Sequence, residues 1–160
     1  MNSSDVEILI CEDFEDISDE LLKQTAVLRW GYNESNLALQ VNRMRSNPFG
    51  YVSFYVFALV NGEVCGFAYF CKDETDASRW YYGDLIVHKD GRREGIATKI
   101  ITQAIRALKE KNAVKLFTYI DIGNEVSLSF HRKLEFSVCD DQKPINGLLT
   151  DGRIVYARAL

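Results

Sequence analysis

The segment that most constrains the fold runs from Asp84 to Ala97 and reads DLIVHKDGRREGIA. A strand-like run breaks at Lys89–Gly91, and a strongly amphipathic helix follows the basic turn Arg92-Arg93. The first backbone N–H groups of a helix have no partner inside the helix, and the helix dipole adds partial positive charge there. Gly95 has no Cβ that would hold a phosphate away from the backbone. The segment therefore predicts a pocket for a phosphate-bearing cofactor.

Hydrophobic periodicity on both sides of this segment predicts alternating strands and helices. Asn61-Gly62 is typical of a two-residue hairpin turn, and the strand–helix–strand unit from Trp80 to Ile122 predicts a right-handed parallel crossover. The predicted strands are Val6–Cys11, Ser53–Val60, Glu63–Cys71, Trp80–His88, Val114–Ile122, Phe136–Cys139 and Arg153–Ala159. The first predicted helix follows Ser18, and the other three cover Ser35–Arg45, Gly95–Lys111 and Asn124–Leu134. The expected fold is α/β (α+β), with a mixed, mostly antiparallel sheet of about seven strands in a single domain of residues 1–160.

Composition excludes several classes of function. The 160 residues carry a formal net charge of -4, which argues against a nucleic-acid partner and weakly favours a cationic substrate. The four cysteines have no metal-type CxxC spacing, so we expect reduced thiols in a cytoplasmic protein and no metal site. No secretory signal and no apolar segment long enough to cross a bilayer is visible, so no membrane association is expected.

The pattern Arg92-x-x-Gly95-x-Ala97 is weak by itself, because basic residues and glycine often precede a helix. An ordinary strand–helix connection is the alternative interpretation. The pattern is not a Walker A loop, since no Gly-Lys-Ser/Thr closes it, and its spacing does not fit a dinucleotide-binding fingerprint.

Residues further along the chain add context, namely Asn124, Ser127, His131 and the ending Lys133-Leu134-Glu135-Phe136. In this combination the chain resembles the GNAT family of N-acetyltransferases over nearly its whole length, most specifically from Asp84 to Phe136. Two residues depart from the family pattern: His131 stands where many members have Tyr, and Glu135 replaces the usual Gly. Because Glu is disfavoured at positive φ, we expect a locally altered helix end at Glu135.

The resemblance implies acetyl-CoA as the cofactor. It implies that the backbone of Arg92–Thr98 binds the pyrophosphate and that the strand Leu85–Val87 pairs with the pantetheine arm. It also implies a bulge in that strand and a V-shaped splay between strands 80–88 and 114–122, with the Val87 N–H facing the thioester oxygen. Asn124 would contact the cofactor arm, cap its helix, or do both. The implied cofactor-binding residues are Leu85, Ile86, Val87, Arg92, Arg93, Glu94, Gly95, Ile96, Ala97, Thr98, Asn124, Ser127 and Phe130.

Two residues are candidates for proton transfer. Asp84 precedes the cofactor strand and could accept a proton from an attacking amine, directly or through water. The alternative is a strand-end aspartate bonded to a backbone N–H, and the sequence leaves open whether Asp84 or Leu85 faces the cleft. Asp121 is a weaker candidate of the same kind. His131 could protonate the departing CoA thiolate, or it packs beside the cofactor.

The resemblance therefore implies an N-acetyltransferase that transfers an acetyl group to a primary amine of a small molecule or peptide by direct attack. A non-catalytic acyl-CoA-binding regulatory module and an interaction domain that has lost the cofactor are the alternatives. A homodimer through the C-terminal strands is left open by the family analogy. Trp30, Tyr32 and Phe49 lie in the helical region that covers the acceptor site in the family, where core packing is favoured over an aromatic lid.

Overall fold

The computed structural model describes residues 5–47, 49–141 and 143–160. Its strands are β1 (Glu7–Cys11), β2 (Ser53–Val60), β3 (Glu63–Lys72), β4 (Arg79–Val87), β5 (Lys115–Asp121), β6 (Ser137–Val138) and β7 (Arg153–Ala159). Its helices are α1 (Asp19–Trp30), α2 (Glu34–Ser46), α3 (Ile96–Glu110) and α4 (Glu125–Lys133). The strands form one sheet in the order β1-β2-β3-β4-β5-β7-β6. The predicted mixed, mostly antiparallel seven-stranded sheet is confirmed.

The pairing of β4 with β5 is parallel, and the other five neighbouring pairs are antiparallel. Helix α3 connects the parallel pair, as the crossover prediction requires. The hairpin at Asn61-Gly62 forms between β2 and β3, with φ of 52° and 81° at its two turn residues. Positive φ at both central positions is the geometry that Asn-Gly favours.

The two faces of the sheet are covered by different helices. Alternate residues of β2 contribute to two separate cores, because successive side chains of a strand point to opposite faces. Phe54, Val56 and Ala58 pack with the apolar face of α3. Tyr55 and Phe57 pack with buried residues of α1 and α2. No helix in the described part of the chain is both long enough and apolar enough to cross a membrane.

Strands β4 and β5 separate part of the way along their length. Their pairing covers only Arg79–Tyr81 opposite Lys115–Phe117, although β4 continues to Val87 and β5 to Asp121. On its other side β4 pairs with β3, where Tyr69 lies opposite Gly83 and Phe67 lies opposite Ile86. The β4 side of this step is one residue longer, so β4 bulges at Asp84 and Leu85. The predicted bulge and V-shaped splay are both present.

Helix α4 ends regularly at Glu135, and the expected locally altered end is wrong. The Phe136 N–H donates to the His131 carbonyl and the Glu135 N–H donates to the Arg132 carbonyl, both at 3.0 Å. This is a Schellman motif, and it places Glu135 at φ 65°. Glu135 therefore takes the left-handed conformation that glycine usually supplies. Arg158 holds the turn from outside, since it pairs with the Glu135 carboxylate and donates to the Leu134 carbonyl.

Candidate active site

The turn before α3 leaves a set of backbone donors open. Gly95 precedes the helix at φ 77°, with no side chain capping the helix. The first helical hydrogen bond runs from the Lys99 N–H to the Gly95 carbonyl at 3.0 Å. The N–H groups of Ile96, Ala97 and Thr98 consequently have no partner inside the helix. A Cβ built on Gly95 would meet no atom within 4 Å, so the surface at Gly95 is open.

Two exposed arginines flank the same turn. Arg93 adopts φ 66°, and Arg92 is extended, with its Nε donating to the Val87 carbonyl at 3.4 Å. That bond ties the turn to the end of β4. Glu94 is exposed beside them. Two guanidinium groups, a helix N-terminus and an open approach fit a pyrophosphate group.

The backbone of β4 presents polar groups to the splay. The His88 N–H donates to the Cys65 carbonyl of β3 at 2.8 Å. Backbone N–H and C=O groups alternate between the two edges of a strand, so those of Ile86 face β3 and those of Leu85 and Val87 face away from it. The bond from Arg92 to the Val87 carbonyl agrees with this direction. Leu85 and Val87 therefore offer backbone groups on the side from which β5 has separated.

Asn124 caps α4, as one of its two predicted roles required. Its Oδ1 accepts a hydrogen bond from the Ser127 N–H at 3.2 Å. The side chain is exposed, so its amide nitrogen can reach a ligand beside the helix. Ser127 and Phe130 lie further along α4, and both contact His131: the Ser127 carbonyl lies 2.6 Å from Nδ1, and the Phe130 ring packs edge-on at 5.0 Å between centroids.

His131 lies in the core with both ring nitrogens engaged. It is 4% exposed; its Nε2 contacts the Tyr82 hydroxyl, and its Nδ1 contacts Ser127. Burial lowers the pKa of His131 and raises the pKa of Tyr82. These features fit a packing role for His131, which is the alternative to its role as a proton donor. No contact among the described residues joins His131 to Asp84.

Asp84 occupies the bulge at φ 56°, and its position answers the question that the sequence left open. Its side chain is 48% exposed, and its Oδ2 accepts a hydrogen bond from Arg29 Nη2 at 2.5 Å. Leu85 instead packs against the core beneath α3. Asp84 is therefore the residue that faces the open side. Asp121 pairs with Arg153 at 3.2 Å at the far end of β5 and does not line the cavity described next.

A cavity of about 310 Å³ lies between the helices α1 and α2 and the strands β2 to β4. Its wall residues are Arg29, Trp30, Arg43, Met44, Asn47, Phe49, Tyr55, Tyr69 and Asp84. Trp30, Phe49 and Tyr32 are 42%, 62% and 70% exposed, so the expectation of core packing is wrong for all three. Trp30 and Phe49 line the cavity, whereas Tyr32 is not part of its wall.

Five polar residues of this cavity were not predicted from the sequence, namely Arg29, Arg43, Asn47, Tyr55 and Tyr69. Arg29 stacks on Trp30, with its guanidinium carbon 4.1 Å from the ring centroid. A basic residue in the last turn of a helix is normally explained by the helix dipole. Tyr69 is one of several aromatic residues on a buried strand. No local signal separates these residues from ordinary ones, because only the fold brings them together.

Comparison with known proteins agrees with this architecture. The family described as "Acetyltransferase (GNAT) family" matches residues 14–136. N-alpha-acetyltransferase 30 of Schizosaccharomyces pombe is 30% identical over 86 residues, which cover 52% of this chain and 57% of that protein. The chain thus spans somewhat more than half of that relative. An acetyltransferase of Pectobacterium atrosepticum is 26% identical over 137 residues, which cover 85% of this chain and 89% of that protein.

A solved structure shows the same fold. The PaiA N-acetyltransferase of Thermoplasma acidophilum, determined in complex with coenzyme A, superposes with a TM-score of 0.62. The alignment covers 96% of this chain and 99% of the other, at 16% identity. Since the family match spans more than half of the sequence and the splayed sheet is present, the chain belongs to the GNAT family of acetyltransferases.

Proposed function

We propose that this protein is an acetyl-CoA-dependent N-acetyltransferase that acts by direct attack of a primary amine. The observation that carries the proposal is the bulge in β4. It turns the Asp84 side chain into the cavity, while Leu85 and Val87, just after it, present backbone groups to the splay. One short stretch of strand thus serves an acceptor on one side and a cofactor on the other.

The residues around the splay suit coenzyme A. The N–H groups of Ile96, Ala97 and Thr98, with Arg92 and Arg93, would hold the pyrophosphate. The backbone of Leu85–Val87 would pair with the pantetheine arm, and the Asn124 amide would contact it. Bound acetyl-CoA supplies an activated thioester. The Val87 N–H is the donor available to the thioester carbonyl oxygen. The complex of the Thermoplasma acidophilum protein with coenzyme A supports this assignment.

Asp84 is the proposed proton acceptor. Amines of ordinary basicity are mostly protonated at neutral pH and must lose a proton before they attack. Arg29 binds Oδ2 and orients the carboxylate, and Asp84 lines the cavity. Oδ1 would take the proton directly or through one water.

His131 as a proton donor to the thiolate stays a prediction. The ring would have to exchange its contact with Tyr82 or Ser127 for one with the cofactor sulfur. Packing requires no such change, and we favour it. A single domain, a cytoplasmic location and a homodimer likewise stay predictions.

The test is release of free CoA thiol from acetyl-CoA across a panel of amines, with the N-acetyl product identified by mass spectrometry. We expect release that depends on the amine. Tight acetyl-CoA binding without release from any small amine or peptide would contradict the proposal and favour the non-catalytic binding module. Absence of binding would favour an interaction domain.

A further inference from the structure

The charged groups of the cavity do not balance. Its wall contains two guanidinium groups, from Arg29 and Arg43, and one carboxylate, from Asp84. The carboxylate is already paired with Arg29. One positive charge is therefore left over inside a cavity of a protein whose overall charge is negative.

Arg43 supplies the unpaired charge. It lies on the exposed side of α2, and its guanidinium has no hydrogen-bond or ion-pair partner within residues 5–47, 49–141 and 143–160. Arg45, two residues later, shows the contrast. It donates to three backbone carbonyls and pairs with Asp19. Arg45 thus holds the loop before α1 in place, whereas no structural bond explains Arg43.

Arg29 is held in place by several contacts, and most of its N–H groups remain available as hydrogen-bond donors. Its side chain is 15% exposed and is held by Asp84, by the Trp30 ring and by the Phe67 ring. Only one of its five N–H donors has a partner among the described residues. Burial is the main cause that lowers the pKa of Arg29, and the neighbouring charge of Arg43 adds to it. An anion in the cavity would relieve this repulsion.

Tyr69 adds a neutral donor to the same wall. Its hydroxyl is buried and makes no hydrogen bond of good geometry among the described residues, although the Ser53 hydroxyl and the Cys71 thiol lie close enough to interact with it. The Tyr55 hydroxyl, which also faces the cavity, is already bonded to the Met44 carbonyl at 2.7 Å. Burial raises the pKa of Tyr69, so this hydroxyl keeps its proton and remains a donor. An unsatisfied buried donor is unfavourable until a ligand accepts its hydrogen bond.

We propose that the acceptor carries a carboxylate in addition to the amine that is acetylated. Arg43, with the free donors of Arg29 and Tyr69, binds the carboxylate, and Asp84 on the β4 wall receives the amine. Trp30 and Phe49 line the remaining wall with apolar surface. This inference rests on the proposed function and contradicts the weak preference for a cationic acceptor drawn from net charge. The whole-chain charge does not describe the cavity.

The test compares acceptors that differ only in their carboxylate. Free amino acids and their carboxamides form pairs with the same side chain, and because the carboxamide lowers the pKa of the α-amine, their rates are compared per concentration of neutral amine over a series of pH values. Dipeptides with Glu or Gln in the second position form a second set, which distinguishes a free amino acid from a peptide as the source of the carboxylate. Initial rates of CoA thiol release are measured for wild type, Arg43→Gln and Arg106→Gln. Arg106 is an exposed residue of α3 outside the cavity. Arg106→Gln therefore removes one arginine charge, as Arg43→Gln does, without changing the cavity.

We expect wild type to prefer the acid over its amide by at least about 10-fold in kcat/KM, because charge-assisted bonds to a guanidinium are strong. Arg43→Gln should remove most of this preference by raising KM for the acid, with a much smaller effect on the amide. Arg106→Gln should keep the preference. Equal rates for acid and amide in wild type, or an equal loss for both in Arg43→Gln, would overturn the inference and leave the acetyltransferase standing. No release from either member of any pair would overturn the proposed function itself, and this inference with it.

Discussion

The two sides of the β4 bulge differ in the chemical groups that they offer to a ligand. On the side proposed for the cofactor, most of the groups are backbone groups of a short stretch of chain, at Leu85, Val87 and Ile96–Thr98, with the side chains of Arg92, Arg93 and Asn124 beside them. On the acceptor side, the cavity is made of side chains from α1, α2, β2, β3 and β4. The first side depends on backbone conformation and the second on charge and shape. A substitution should therefore damage one function and spare the other, according to which property it changes.

The largest effect is expected from Asp84→Asn, which changes the acceptor side alone. Asn tolerates positive φ almost as well as Asp, so the bulge is kept while the charge is lost. Loss of a general base costs about 100-fold or more. We expect kcat/KM for the amine to fall by about 100-fold and the Kd of acetyl-CoA, measured by calorimetry, to stay unchanged. The rate should recover partly at high pH, where the amine is neutral without assistance.

Asp121→Asn is the matched control for that prediction. Asp121 is 75% exposed and pairs with Arg153 away from the cavity. Its variant should retain wild-type rates. A rate loss in Asp121→Asn but not in Asp84→Asn would assign the proton acceptor to β5. Full activity of Asp84→Asn at neutral pH would remove the carboxylate from the mechanism.

Gly95→Ala is expected to weaken acetyl-CoA binding while it leaves the amine site intact. An alanine at φ 77° is disfavoured by about 1–2 kcal/mol, which disturbs the turn that positions the first N–H groups of α3. We expect the Kd of acetyl-CoA to rise by roughly 10- to 30-fold, with KM for the amine little changed at saturating acetyl-CoA.

Gly62→Ala provides the control for backbone strain. Gly62 lies in the β2–β3 hairpin at φ 81°, and a Cβ there also meets nothing within 4 Å. Its variant should lose a similar amount of stability in urea unfolding and retain acetyl-CoA affinity. Equal affinities of the two variants would mean that Gly95 serves only the turn.

The difference between the two sides also explains what the sequence could predict. The cofactor side was predicted because its parts are adjacent in the chain and its signals are local, such as a glycine before an apolar helix. The splay followed from the family resemblance. The acceptor cavity was not predicted, since Arg29, Arg43 and Tyr69 are brought together only by the packing of α1 and α2 on the sheet.

Two kinds of residue-level error have different physical origins. Trp30, Tyr32 and Phe49 were expected in the core because large aromatic residues are usually buried, yet all three are exposed, and Trp30 and Phe49 line an open cavity that only the packing of α1 and α2 on the sheet creates. Glu135 was expected to disturb the end of α4, yet the hydrogen bonds of the Schellman motif, a local feature, hold it in the left-handed conformation.

His131 lies beneath the splay, and its burial predicts a pH effect of intermediate size. The folded-state pKa lies below the ordinary value of 6.5, so the unfolded chain takes up the proton first as pH falls. The free energy of unfolding should be level above about pH 6.5 and fall below it, by up to about 1.4 kcal/mol per pH unit. Urea unfolding between pH 7.5 and 5.5 measures this slope.

The two histidines allow a direct comparison. His131→Phe should lose the slope, whereas His88→Phe should keep it, because the His88 side chain is 43% exposed. The absolute stability of His131→Phe will also drop, since Tyr82 loses its partner. If that drop prevents the measurement, NMR titration of wild type should place the pKa of His131 below its ordinary value, with the His131 signal identified by comparison with His88→Phe. A pKa of His131 at or above the ordinary value would contradict the buried, neutral ring.

The smallest effect is expected at Glu135, where backbone conformation can be separated from charge. Glu135→Gly relieves the positive φ and loses the pair with Arg158; Glu135→Ala loses the same pair and keeps a Cβ at φ 65°. The carboxylate is 78% exposed, so the ion pair contributes little. We expect the glycine variant to exceed the alanine variant by about 1 kcal/mol in the free energy of unfolding. Equal stability of the two variants would show that the turn relaxes when Arg158 is released, and that the ion pair imposes the left-handed conformation on Glu135.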